Sequence, residues 1–196
     1  MRIMPLDINN PASFERLKKY LQQLKKKLQT TMIAELFVYV YELFVEYANA
    51  YVREADIGEN VKQSIETSWT YAISGNILQI RNSSPKAAYV EFGVGIVGQE
   101  NPHENASSAG YEYNVPSPYK AEDGSWWFSV SDSEMNIPAK DITAVNGYAE
   151  NAFFETRGTE AVMFAFKAVQ ALKLDLQTPN GKIATKWNEI VFREVG

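Results

Sequence analysis

The stretch "FGVGIVG", residues 92–98, decides between two folds. Gly93, Gly95 and Gly98 spell G-x-G-x-x-G, the phosphate-cradling fingerprint of doubly wound α/β dinucleotide-binding proteins. That fingerprint requires a strand before it, a helix opening over the third glycine, and a later strand with an acidic residue. After Gly98 the chain runs "QENPHENASSAGYEYNVPSP", with Pro102 where the helix should run. Such a composition reads as loop, so phosphates are expected to find no helix N-terminus to dock on. The rest of the chain also lacks alternating strand–helix units. The glycines are expected to shape backbone instead, and the fold class to be α+β. A small-ligand or nucleotide-binding protein using the Gly93/Gly95/Gly98 loop is the alternative reading.

Upstream, the pattern is helical. Asn10-Pro11 is a good helix start, because Asn caps free N–H groups and Pro suits the first helical position. Phe14, Leu17, Leu21, Leu24 and Leu28 then recur at steps of three and four, one stripe of a helix, with lysines between them facing water. From Met32 to Val52 the apolar stripe widens. Leu36, Val40, Leu43, Tyr47 and Tyr51 make one face, and Phe37, Tyr41 and Phe44 make its neighbour. A helix this apolar needs cover on two sides, from a sheet of its own chain and from a second subunit. Glu35, Glu42 and Glu46 within it would be costly in lipid, so the expectation is a soluble helix from about Ser13 to Ala55, bent near Thr30-Thr31.

The next segments read as strands. "DIGEN", residues 56–60, ends the helix with Gly58 as its punctuator. "SIETSWTYAI" and "ILQIRN" flank Ser74-Gly75-Asn76, which signals a hairpin. "AAYVEF", residues 87–92, is a short strand or one helical turn. Residues 99–125 read as a long loop expected to reach a neighbouring subunit or partner. "WWFSVSD" and "AFFETRG" read as strands. A helix is expected from Thr159, as its cap, to about Gln177, with Val162, Phe166, Val169 and Leu172 on one face. Beyond the break at Pro179, residues 180–196 form one more short helix containing Trp187 and Ile190. The domain layout is an arm at 1–12, a single domain at 13–177 and an extension at 178–196.

Chemistry is sparse. The net charge of −5 argues against a nucleic-acid binder held by overall charge. No cysteine is present, which excludes disulfides and thiolate metal sites. His103, the only histidine, lies between Glu100 and Glu104, short of the ligand set a metal requires. It reads as an exposed or hydrogen-bonded loop residue. No catalytic, metal or cofactor site is expected. Tyr89, Val90, Glu91 and Phe92 are expected to form a structural corner, with Tyr89 and Phe92 in the core. Glu91 sits among apolar neighbours, where an unpaired charge is expensive. It should accept backbone N–H bonds or pair with a basic residue such as Arg157. Trp126 and Trp127 alternate across a strand, so one ring would face outward as an interface anchor.

Taken in order, five motifs resemble a known family. "ADIGENVKQSI" (55–65), "AAYVEFGVG" (87–95), "IVGQENPHEN" (96–105), "GSWWF" (124–128) and "TRGTEAVMFAFKAVQAL" (156–172) come after a long first helix. This order is similar to the head–tail connector, neck or tail-completion proteins of long-tailed bacteriophages, in particular the gene-product-ten-like minor tail components. Departures from that pattern are Ile57, Val94 and Glu104, and residues from about 178 onward have no counterpart. The resemblance implies a non-enzymatic virion protein of the neck, made in the host cytoplasm. It implies a ring of six or twelve subunits between a portal-side connector and the tail-tube or tail-terminator proteins, with DNA passing through the lumen and no membrane contact. Pro102, His103, Trp126, Trp127 and Arg157 are the interface candidates. The implied fold is a long helix packed across a small antiparallel sheet, with a second helix near the C-terminus.

Overall fold

The computed structural model describes residues 11–113, 125–129, 143–145 and 153–195. The protein mixes helix and strand: a long N-terminal helical run, small antiparallel sheets and C-terminal helices. Helix α1 spans Pro11–Lys27 and α2 spans Ile33–Glu54. Between them Leu28–Met32 form a single π-helical turn. The interruption expected at Thr30-Thr31 takes this form. Thr30 Oγ1 donates to the Lys26 carbonyl at 2.9 Å, and such hydroxyl back-bonding competes with the regular helical ladder.

Gly58 does not simply end a helix. Its extended backbone (φ −64°, ψ 145°) precedes helix α3, Glu59–Glu66, which takes in residues expected to start a strand. Val61 and Ile65, one turn apart, are buried there. Strands β1 (Trp69–Ser74) and β2 (Ile77–Asn82) come next as a hairpin. Its two-residue turn places Gly75 at φ +59°, a conformation open to glycine. Helices α4 (Ala87–Phe92) and α5 (Gly95–Glu100) succeed it, so "AAYVEF" is helical. The expected absence of a helix after the glycines is corrected, because α5 opens at Gly95. Residues 101–113 fold into turns; of the expected loop at 99–125, residues 114–124 lie outside the described residues.

Strands β3 (Trp126–Ser129), β4 (Thr143–Val145) and β5 (Phe153–Thr156) form an antiparallel sheet in the order β3-β5-β4, with Trp127 opposite Glu155 and Ala144 opposite Phe154. The two-residue strand β6, Gly158–Thr159, bridges to Val94 and Gly95. Helix α6 runs Phe164–Gln177 and α7 runs Lys182–Val195. Helix α6 thus starts five residues after Thr159, which lies in β6 and is no cap. Its buried residues are Phe164 and Ala168. Val169, expected to share a face with Val162, Phe166 and Leu172, is 39% exposed.

The chain groups into two units. The first comprises Met1–Phe44, Tyr71–Gln79 and Leu172–Gly196. Met32, Leu43, Phe44, Ile183 and Ile190 are its buried apolar residues. Arg193 forks onto the Glu35 carboxylate, and Lys27 meets Glu194 at 2.9 Å. Glu35 therefore ties α7 to α2. Tyr41 of α2 packs on Tyr71 of β1 at 4.5 Å between ring centres. The Asp175 carboxylate accepts the Lys182 and Ile183 N–H groups, each at 2.8 Å, and caps α7 from outside it. Residues 178–196, set apart in sequence, supply α7 to this unit.

The second unit comprises Val45–Thr70 and Ile80–Ala171. Ala48 and Val52 of α2, Val61 and Ile65 of α3, Val90 of α4, and Phe164 and Ala168 of α6 are buried in it. Buried Asn49 accepts the Trp69 indole N–H at 2.8 Å, and the Trp69 ring meets Phe164 edge-on. Arg53 and Glu66 form a two-pronged pair at 3.0 and 2.7 Å that holds α3 against the end of α2.

Among the described residues one helical run, Glu15–Glu54, is long and apolar enough by length and composition to cross a membrane.

Candidate functional site

The second and fifth sequence motifs meet inside the second unit. Helix α6 has Met163 before its first residue, and methionine offers no capping oxygen. The cap comes from Glu91 at the end of α4. Glu91 Oε2 accepts the Ala165 N–H at 2.8 Å, and Oε1 accepts the Phe166 N–H at 2.9 Å. A carboxylate there satisfies two orphaned donors and matches the positive end of the helix. Backbone bonds splice the same segments: Val162 N–H donates to the Val90 carbonyl at 2.9 Å and Met163 N–H to the Glu91 carbonyl at 3.2 Å. Met163 adopts φ +59° to make this approach.

The partner of Glu91 is His103 and not Arg157. Both are buried, Glu91 at 8% and His103 at 3% exposure. The Nε2–Oε1 distance is 3.2 Å. His103 Nδ1 accepts the Asn105 N–H at 3.0 Å, so the ring proton belongs on Nε2 and is donated to Glu91. Every polar atom of the imidazole is thereby occupied. The backbone N–H of His103 donates to the Tyr113 hydroxyl at 2.9 Å. The ring itself packs edge-on against Phe92 and Phe166, at 4.9 and 5.3 Å between centres. Phe92, half-buried, stacks on Tyr111 at 4.6 Å. The Tyr111 hydroxyl donates to the Gly93 carbonyl at 2.6 Å. Burial, and secondarily Tyr89 and Tyr113, push the Tyr111 phenol up to about 12.

The glycines serve this joint. Gly93 has φ +80°, and a Cβ there would lie 2.7 Å from the Thr159 carbonyl oxygen and 2.8 Å from the Ala161 nitrogen. A Cβ at Gly98 would lie 2.9 Å from the Gly93 carbonyl carbon and 3.0 Å from the Tyr113 ring. The space that glycines leave open for a phosphate in a dinucleotide fold is filled here by this chain's own backbone and aromatic rings.

Other sequence-predicted positions fall differently. Tyr89, expected in the core, is 39% exposed, because it lies on the outer side of α4, opposite buried Val90 and Glu91. Val90 is buried as a corner residue should be. Pro102 and Arg157 are exposed, and the Arg157 carbonyl accepts the Val97 N–H at 3.2 Å. The backbones of Trp126 and Trp127 lie in β3; their side chains, and the expected outward ring, lie outside the described residues. Sequence reasoning missed Asn105, Tyr111 and Tyr113. Their signal was the tyrosine pair of "AGYEYNV", two residues apart and eight residues after the only histidine.

Among the described residues no three His, Asp or Glu side chains gather to hold a metal ion. One open cleft of about 530 Å³ lies in the second unit, walled by Tyr51, Glu54, Asp56, Val97, Glu160 and Lys167. The Lys167 ammonium sits 5.7 Å from the centre of the Tyr51 ring. The buried Glu91–His103 pair has its bonds satisfied within the joint, which makes it a fastening and leaves it no group for a substrate. Comparison with protein-family models, with curated proteins and with solved structures finds no match for this chain.

Proposed function

We propose that this protein is a structural subunit of the neck of a long-tailed bacteriophage, joining head and tail or completing the tail as part of an oligomeric ring. The observation that carries this reading is where its apolar surface lies. Among the described residues, nine of the eleven exposed large apolar side chains belong to the first unit; Leu174, Leu176 and Phe192 are 66%, 66% and 75% exposed. Exposure of this kind on α1, the hairpin, α6 and α7 supports reading the first unit as an association surface. The five ordered motifs supply the identity of the assembly. Two of them, "AAYVEFGVG" and "TRGTEAVMFAFKAVQAL", fasten to each other at Glu91, so the resemblance tracks one packed joint. On this reading the partners are further copies, a portal-side connector and the tail-tube or tail-terminator proteins, with DNA passing through the lumen.

The glycine-loop alternative finds the helix it needs in α5, but a Cβ at Gly93 or Gly98 would run into protein atoms, so these glycines leave no open cradle for a phosphate. Calorimetry with nucleotides separates the two readings: the neck reading predicts no heat of binding. The decisive experiment is deletion of the gene in a bacterial strain that produces the particle. The expected lysate contains DNA-filled heads and detached tails. Intact particles from the deletion strain would overturn the proposal.

A further inference from the structure

The charge of this chain is divided between its two units. The first carries 11 Lys and Arg against 7 Asp and Glu, net +4. The second carries 8 against 17, net −9. Most of the positive charge sits on α1, whose last turn is Lys25, Lys26 and Lys27. Lys19, Lys25 and Lys26 are exposed and form no ion pair among the described residues. Beside them on α1 lie Tyr20 and Leu21, 37% and 52% exposed. The second unit offers the complement. Its cleft is apolar on Ile57, Val97 and Val162 and edged by Glu54 and Glu160, which are exposed and form no ion pair among the described residues; Asp56 adds a third carboxylate, and Lys167, lying over the Tyr51 ring, is the cation among its lining residues.

We infer that copies of this chain associate head to tail, with the basic apolar face of α1 on one copy seated at the acidic cleft of the next. This inference rests on the ring reading and names the faces that would build it. Leu21 and Tyr20 would bring apolar area to Ile57, Val97 and Val162, while Lys19, Lys25 and Lys26 face Glu54 and Glu160. Two different patches meeting in one contact make a heterologous interface. Such an interface propagates and closes into a ring when the rotation per subunit permits. A two-fold contact of α1 with α1 would instead place lysine against lysine. An anionic lipid surface or DNA would engage only the lysines and leave the acidic cleft without a role.

Two charge-reversal variants of the full chain test this. One carries Lys19→Glu, Lys25→Glu and Lys26→Glu; the other carries Glu54→Lys and Glu160→Lys. All five positions are exposed, and a circular dichroism melt checks that each variant folds. Sedimentation at low salt over a concentration series is the readout. Wild type is expected to form species above the monomer that recede as salt shortens the screening length to about 10 Å or less. Each variant alone is expected to associate about tenfold or more weakly, from several exposed pairs turned repulsive. An equal mixture should recover association, because each variant supplies the face the other has lost. Wild type that stays monomeric throughout overturns the inference, as does a variant that assembles normally. Assembly driven by anionic vesicles or DNA and abolished only by the lysine variant overturns it too. Rings that form in spite of both reversals refute these faces and leave the neck reading to the gene deletion.

Discussion

Replacing Glu91 removes the one group that begins α6 and holds His103. Glu91→Ala strands three donors: the Ala165 and Phe166 N–H groups and the His103 Nε2–H. Each orphaned buried donor costs about 1–3 kcal/mol. The first turn of α6 can fray and recover some hydration, which places the total at about 3–5 kcal/mol. Glu91→Gln keeps one acceptor oxygen and nearly the same volume. It loses the charge facing the helix N-terminus, worth about 0.3–2 kcal/mol, and turns an amide NH₂ toward a donor. Its expected cost is about 1–3 kcal/mol. With Glu91 only 8% exposed, solvent screening reduces these figures little. For a chain of this size the Gln variant should melt about 2–12 °C lower, at about 2–4 °C per kcal/mol. Thermal and urea denaturation by circular dichroism measure the loss. Hydrogen exchange at Ala165 and Phe166 assigns it to the cap, with faster exchange expected there than at the middle of α6. A Gln variant within about 0.5 kcal/mol of wild type, with unchanged exchange at those two amides, would refute the reasoning.

Three other perturbations have definite expected outcomes. Gly93→Val forces a β-branched residue to φ +80° with its Cβ 2.7 Å from the Thr159 oxygen; soluble yield and melting temperature should both fall, and a wild-type melt would contradict this. Arg193 beside Glu35 and Lys27 beside Glu194 hold both carboxyls below their usual 4.5. Depressed carboxylates stabilise fully above that value and lose their contribution as pH falls beneath it, so the docking of α7 should loosen below about pH 4.5, read by its amide exchange, and Arg193→Gln should flatten the dependence. Tyr111, raised to about 12, has its favourable contribution intact below pH 10 and loses it as pH rises toward its folded value. Burial also raises Tyr41, so an alkaline absorbance titration should show a late tyrosine component that shrinks, without vanishing, in Tyr111→Phe.

Local chemistry made some of this fold legible. The Gly75-Asn76 hairpin stems from turn residues between two strand-forming runs, and the α1–α2 run from apolar spacing alone. The segment 59–66 misleads, because Ser, Thr and Trp around "SIETSW" favour strands. Tertiary bonds decide otherwise there: Arg53 grips Glu66, and Asn82 donates to the Ile65 carbonyl at 2.8 Å. Thr159 looks like a cap, yet the cap of α6 comes from Glu91, 74 residues before Ala165. That Glu91 must be satisfied was readable from its apolar neighbours. That His103 satisfies it, and Arg157 does not, depends on how the turns at 101–113 fold back, which no spacing rule encodes. The outward turn of Tyr89 has the same origin, since "AAYVEF" as a helix puts Val90 and Glu91 inside.

The remote cap also sets an order of events. A helix with its own N-terminal serine or aspartate can begin before the rest of the chain arrives. The first turn of α6 instead waits for an acceptor 74 residues away. Closing a loop of that length costs on the order of 4 kcal/mol in chain entropy, taken as 1.5RT times the logarithm of the residue count. A contact formed at that cost is expected to form late in folding. Interactions formed after the transition state act mainly on the rate of unfolding. The Glu91 cap thus governs how long a finished subunit stays folded more than how quickly it gets there. For the proposed neck subunit, a bond of this kind would lend persistence.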